Sequence, residues 1–234
     1  MEDTLKTIKY DYIFYFPNGT QKQYNVEIDY ETKTCLNTNT MVPDNIEWTD
    51  LEFHQCDICP LEKKDYIKCP VAWNLYTLVE SFQDQISFEE VDVEIQTPYR
   101  TYKKSTSLQI ALQSLFGVLM ATSNCPILKF LSPMALFHLP FASFEETILR
   151  AASFYLLQQY FYKSDGLEYD FSMKGLKKKY EEVERVNQDF LSRIQEIDTQ
   201  GDASLNAITT LNAFAQMFSI QYGVELEALR HVFK

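Results

Sequence analysis

The sequence predicts an α+β fold: an N-terminal β-hairpin and antiparallel strands carrying a cysteine-rich loop, followed by a helical C-terminal half. Three observations predict it. Residues 10–16, YDYIFYF, are dense in β-forming aromatics, and the PNGT that follows contains Asn18 and Gly19, a strong hairpin signal. Farther on, VDVEIQT alternates at Val91, Val93 and Ile95, the period of a half-buried strand. From Ser143 onward the chain is helical in character almost throughout. Strands first and helices last define the α+β class. The layout predicts a single domain over residues 1–234, β-rich over 1–105 with the cysteine loop at 54–70, and mainly helical over 106–234.

Each element has its own justification. After the hairpin turn, QYNVEIDY sets Tyr24, Val26 and Ile28 against polar neighbours, which reads as the second strand. A polar loop rich in Thr and Asn follows through residue 45, and WTDLEFHQC reads as a short strand or extended segment that delivers His54 and Cys56 into the cysteine loop. Pro70 suits the first turn of a helix. Val71, Leu75, Leu78, Val79 and Phe82 then recur at three- and four-residue spacing, which predicts a helix over 71–83. RTYKKST pairs back on VDVEIQT as a further strand, and Thr106 or Ser107 caps a helix reaching Thr122. Pro133 and Pro140 break the next stretch into short helical turns. SFEET, from Ser143, is an N-cap with acidic residues in the first turn. Long helices are expected to end near residue 164, to cover 172–197, and to run from the TQGDAS segment to Ser219, with a short last helix. The aromatics of FYLLQQYFY are expected to pack into the core.

The 234 residues carry a net charge of −12, with 46% hydrophobic and 15% aromatic residues. That composition is globular, and long enough to bury a core without disulfides. A strongly acidic chain is repelled by nucleic-acid backbones and anionic membranes, so neither is an expected partner. The basic run KGLKKKY at 174–180 reads as the solvated face of a helix. The first residues show no basic start followed by an apolar stretch, and no apolar run is long enough to span a bilayer. The expected compartment is the cytoplasm, where disulfides rarely persist and clustered cysteines are more often ligands or catalysts.

Three of the five cysteines fall in HQCDICPLEKKDYIKC. Cys56 and Cys59 form a C-x2-C pair, which places two thiolates on one tight turn, and Cys69 closes the loop. Zinc and iron–sulfur clusters both take four such ligands. Cys125 is the expected fourth, because helix, strand, strand and helix separate it from Cys69, and an even number of antiparallel crossings returns the chain to its starting end. His54 and His138 are alternative ligands. Cys59, Cys69 and Cys125 each precede a proline, which stiffens the backbone beside a ligand. Inert buried thiols are the plainer alternative. Cys35 has no partner in sequence and is expected to bind nothing.

Other chemistry is scarce. No nucleophile elbow, P-loop, dinucleotide fingerprint or zinc-protease motif is present. The stretches LEFHQCDICPL with YIKCPVAWNL, LMATSNCPILKFLSPMALFHLPFASFEET, and LNAFAQMF resemble a family of uncharacterised bacterial proteins, a domain of unknown function. The resemblance covers most of the chain and implies a soluble bacterial protein, with no activity attached.

The expected function is therefore a non-catalytic cytosolic metal-site protein holding zinc on Cys56, Cys59, Cys69 and Cys125, and serving as an interaction or regulatory module with a protein partner. The Cys-Pro repeats motivate an iron–sulfur or haem-linked redox or sensor protein as the first alternative. A cysteine-dependent enzyme with Cys125 as nucleophile and His138 as base is the second.

Overall fold

β1 (Thr7–Tyr15) and β2 (Gln21–Asp29) pair antiparallel over their whole length. The turn between them is built on the expected residues: Gly19 takes φ +83°, the Asn18 Oδ1 accepts the Thr20 N–H at 2.9 Å, and the Phe16 N–H donates to the Thr20 carbonyl at 2.9 Å. β1 also pairs with β3 (Glu90–Gln96), which pairs with β4 (Thr101–Ser107), giving one antiparallel sheet in the order β2-β1-β3-β4. These elements belong to a computed structural model that describes residues 6–36, 43, 45–197 and 200–234. The period-2 pattern buries Ile8, Tyr10, Tyr12 and Phe14 of β1, Val26 and Ile28 of β2, and Val91, Val93 and Ile95 of β3 on one face. β4 buries no side chain and carries Lys103 and Lys104, which blunts that sheet edge against further pairing.

Helices cover the apolar face. On α1 (Pro70–Phe82), Phe82 meets Phe14 edge-on at 5.0 Å, and the Thr77 hydroxyl bonds to the Tyr24 hydroxyl at 2.7 Å. α2 (Leu108–Ala121) begins directly where β4 ends. Ser107 stands at its N-cap, yet its side chain makes no cap bond. Instead the Leu108 and Gln109 N–H groups donate to the Glu89 and Ser87 carbonyls at 2.8 and 2.9 Å, so the approach to β3 satisfies donors that a serine usually takes.

α3 (Ser132–Leu136), α4 (Phe144–Ser164), α5 (Lys174–Gln195) and α6 (Ala203–Ala228) complete the chain with a last 3₁₀ turn. The α4 start is the expected capping box: Ser143 Oγ accepts the Glu146 N–H, and the Glu146 carboxylate accepts the Ser143 N–H. α6 packs against α5, α2 and α4, so the main core runs without a break from Tyr12 and Phe14 through Leu112 to Val186 and Ile208. Between α5 and α6, the Gly201 N–H donates to the Gln83 carbonyl at 2.7 Å, and Asp202 accepts the N–H and hydroxyl of Ser87 at 2.8 and 3.0 Å. A side chain at Gly201 would collide with the Gln85 backbone. Among the described residues no helix is long and apolar enough to cross a membrane.

Three local expectations are corrected. WTDLEFHQC is not a strand: Glu47–Thr49 is a 3₁₀ turn, closed by the Thr49 hydroxyl on the Ile46 carbonyl at 2.6 Å, and only an isolated bridge between Asp50 and Lys68 follows. α6 continues well past Ser219, through Gly223 to Ala228. The aromatics of α4 are not all core. Tyr155 is buried, but Leu157, Tyr160 and Phe161 are each more than half exposed, because they lie off the stripe of Ile148, Ala151, Ala152, Tyr155 and Gln159 that α4 buries. The Thr- and Asn-rich loop before residue 45 falls largely outside the described residues.

Candidate metal centre

The cysteine loop leaves the buried 3₁₀ turn at Trp48 and Thr49 and returns beside it. The Leu51 N–H donates to the Ile67 carbonyl at 2.9 Å, the Cys69 N–H to the Thr49 carbonyl at 2.8 Å, and Lys68 Nζ to Asp50 Oδ1 at 2.5 Å. Within the loop, the Cys59 N–H closes on the Cys56 carbonyl at 2.9 Å. That bond makes the C-x2-C segment one tight turn, and both of its cysteines line the same cavity. Cys69 is the N-cap residue of α1, but its side chain does no capping, so the thiol is left to face elsewhere. Cys125 follows α2, after Asn124 in the left-handed conformation at φ +64°.

Cys56, Cys59, Cys69 and Cys125 line one small cavity of about 20 Å³, with Leu51, Val186 and Phe190 among its apolar walls. The structure thus brings together the thiols that the spacing singles out. Their fields overlap. Burial pushes the Cys56 thiol far above its ordinary value, and the neighbouring Cys69, Asp189, Cys125 and Cys59 push it further. Burial also raises Cys125, to about 11, against the opposing pull of the Leu128 and Ile127 N–H groups aimed at its sulfur. Both shifts favour the protonated form of Cys56 and Cys125. Among the described residues, no group of three or more His, Cys, Asp or Glu side chains forms a preassembled metal site. The donors are soft thiols facing an enclosed space that admits one water-sized body. In donor type they suit a soft ion such as zinc.

Arg193 of α5 closes the cavity and is the feature that spacing alone misses. Its guanidinium is buried and donates to the carbonyls of Trp48 at 2.5 Å, Asp50 at 2.7 Å and Leu51 at 3.4 Å. Burial lowers its pKa, and the fields of Cys69, Cys56, Asp50 and Cys59 oppose that shift. No carboxylate is within ion-pair distance of it among the described residues. The signal was present in the sequence: Val183, Val186, Phe190 and Arg193 share one helical stripe, and an arginine on such a stripe is buried. A second tie to α5 comes from the Arg185–Asp57 ion pair and from the Asp57 N–H, which reaches Asp189 at 3.3 Å.

The two histidines separate. His54 lines the cysteine cavity but is exposed, with φ +45° and its ring edge-on to Phe53 at 5.0 Å. His138 lies on a different, larger cavity, where Nε2 bonds to the Tyr12 hydroxyl at 2.6 Å and the Ser114 hydroxyl at 3.2 Å. Burial, and then the nearby Arg150, lower its pKa to about 3. Cys125 and His138 therefore face separate cavities, and neither is bonded to the other as a nucleophile–base pair. Cys35 is buried apart from the other thiols, with its N–H on the Thr122 carbonyl at 3.1 Å.

A small cavity walled by four thiols and a buried guanidinium, set where the cysteine loop, the start of α1, the segment after α2 and α5 meet, defines the site. The chain belongs to the family described as Domain of unknown function (DUF6901), whose model matches residues 8–234. No curated protein matches the chain. No solved structure matches it either.

Proposed function

We propose that this is a non-catalytic bacterial cytoplasmic protein in which one zinc ion, held by Cys56, Cys59, Cys69 and Cys125, staples the cysteine loop to the helical layer, and that the stapled fold is an interaction module. The observation that carries the reading is the convergence of the four thiols and Arg193 on one cavity. A four-thiolate zinc site carries excess negative charge, and a buried arginine that has no carboxylate at ion-pair distance among the described residues offsets it. The size of the cavity, about 20 Å³, supports a single ion over an iron–sulfur cluster or a haem. Bound zinc would supply folding free energy here, and the chain's own residues would exclude water and hold the loop. The exposed Leu157, Tyr160 and Phe161 at the end of α4, near in sequence to exposed Tyr169 and Phe171, support a protein-binding role.

Metal analysis of anaerobically purified protein tests the reading. One equivalent of zinc is expected in the wild type, in Cys35→Ser and in His54→Ala, with loss in Cys56→Ser, Cys59→Ser, Cys69→Ser and Cys125→Ser. Equal metal content in all variants overturns the ligand assignment. Iron with a brown chromophore, or a Soret band, overturns zinc.

A further inference from the structure

The larger cavity, about 470 Å³, lies between α2 and the helices that follow it. Its volume falls within the range of about 300–1,000 Å³ typical of small-molecule sites. The walls are apolar for the most part: Val118, Leu131, Met134, Leu211 and Phe214 contribute. Gly117 also lines it, and its missing side chain leaves space that only Leu211 approaches, at 3.8 Å from where a Cβ would sit.

The charges on this wall are one-sided. The chain holds 33 acidic residues and carries a net charge of −12, yet no Asp or Glu lines the cavity among the described residues. Two cations do, Arg150 and Lys104. Arg150 is half-buried on α4, and one of its nitrogens, Nη2, donates to the Met134 and Phe137 carbonyls at 3.1 and 2.8 Å. No acidic side chain pairs with it at ion-pair distance among the described residues, and Glu146, whose charge acts on it, is committed to the Ser143 cap. A cation placed this way at an apolar cavity lacks a counter-charge, and burying an unpaired charge is costly. The polar groups of Ser114 and His138 on the same wall bond to each other and to Tyr12. They form a fixed polar edge beside the apolar walls.

We propose that this cavity binds an amphipathic monocarboxylate, a medium-chain fatty acid or a molecule of that shape, with its alkyl body along Gly117, Leu131, Met134 and Phe214 and its carboxylate on Arg150. A carboxylate on a guanidinium is the strong, directional pairing that the unpaired charge calls for. The remaining volume takes apolar matter. This site is independent of the cysteine cavity and of any metal bound there.

Calorimetric titration of the full chain with dodecanoate, below its micelle concentration, tests the proposal, with dodecanol, methyl dodecanoate and dodecyltrimethylammonium as comparators. Dodecanoate is expected to bind one per chain and at least about tenfold more tightly than the neutral or cationic comparators. Arg150→Gln should abolish that preference while leaving the neutral comparators unchanged. Gly117→Met, which fills the cavity while removing a helix-weakening glycine, should lose binding of every alkyl probe without lowering the melting temperature. No binding of dodecanoate to the folded wild type overturns the proposal. So does equal affinity for dodecanoate and dodecanol, or undiminished binding in Gly117→Met. Preference for methyl dodecanoate would identify an esterified acyl chain as the occupant and overturn the carboxylate.

Discussion

The Arg193 guanidinium on α5 donates to the Trp48 carbonyl at 2.5 Å, joining residues 145 positions apart. This bond and those to Asp50 and Leu51 hold the start of the cysteine loop against the helical layer. Arg193→Leu should lower stability by at least about 2 kcal/mol, because the three carbonyls lose a charged donor. Arg193→Lys should recover only part of it, since an ammonium cannot fork to diverging acceptors. Denaturant unfolding of both variants checks the prediction, and a leucine variant as stable as wild type would refute it.

Removing the proposed ion with a strong chelator should lower the melting temperature by several degrees, given a shift of about 2–4 °C per kcal/mol for a domain of this size. Hydrogen exchange should rise in residues 54–70 and also at Ile127 and Leu128, whose N–H groups point at the Cys125 sulfur. Exchange that rises only in residues 54–70 would replace Cys125 by His54 as the fourth ligand.

The β1–β2 and β3–β4 hairpins, the C-x2-C turn and the α4 capping box were legible in the sequence because each rests on neighbours in the chain, whereas the β1–β3 pairing that joins the hairpins does not. Asn18 and Gly19 need only each other to turn, and Ser143 finds Glu146 within one helical turn. The convergence of Cys125 with Cys69 followed from counting crossings. What stayed hidden depends on partners remote in sequence. The stripe of α5 marks Arg193 as facing inward, but its acceptor, the Trp48 carbonyl, lies 145 positions away. The failure of Ser107 to cap α2 depends on the Glu89 and Ser87 carbonyls taking that role. The exposure of Tyr160 and Phe161 depends on what packs against α4, which the pattern of α4 itself does not record.

Gly201→Ala should destabilise the fold by about 1–3 kcal/mol, the usual cost of forcing extra atoms into a filled site. The Cβ would meet the Gln85 backbone, which cannot rotate away as a side chain can. Thermal unfolding measures this, and an unchanged melting temperature would show that the junction between α5 and α6 yields.

His138 gives the fold a dependence on acid. Its folded pKa, about 3, lies below the ordinary histidine value because it is buried and faces Arg150. Between these two values the unfolded chain takes up a proton that the folded chain refuses. The stability from neutral His138 is therefore complete above about pH 6.5 and lost as the pH falls, by at most about 1.4 kcal/mol per pH unit. His138→Gln should flatten the slope of unfolding free energy between about pH 6.5 and 5. An identical slope in variant and wild type would assign the acid sensitivity elsewhere.

The distance along the chain from Trp48 to Arg193, 145 positions, is also an interval of time. At synthesis rates of about 5–20 residues per second, the cysteine loop emerges roughly 7–30 s before the helix that anchors it. Through that wait its three thiols lack the wall that Val186, Phe190 and Arg193 later supply. A metal ion or an oxidant that reaches Cys56, Cys59 and Cys69 in the interval meets them before α5 arrives.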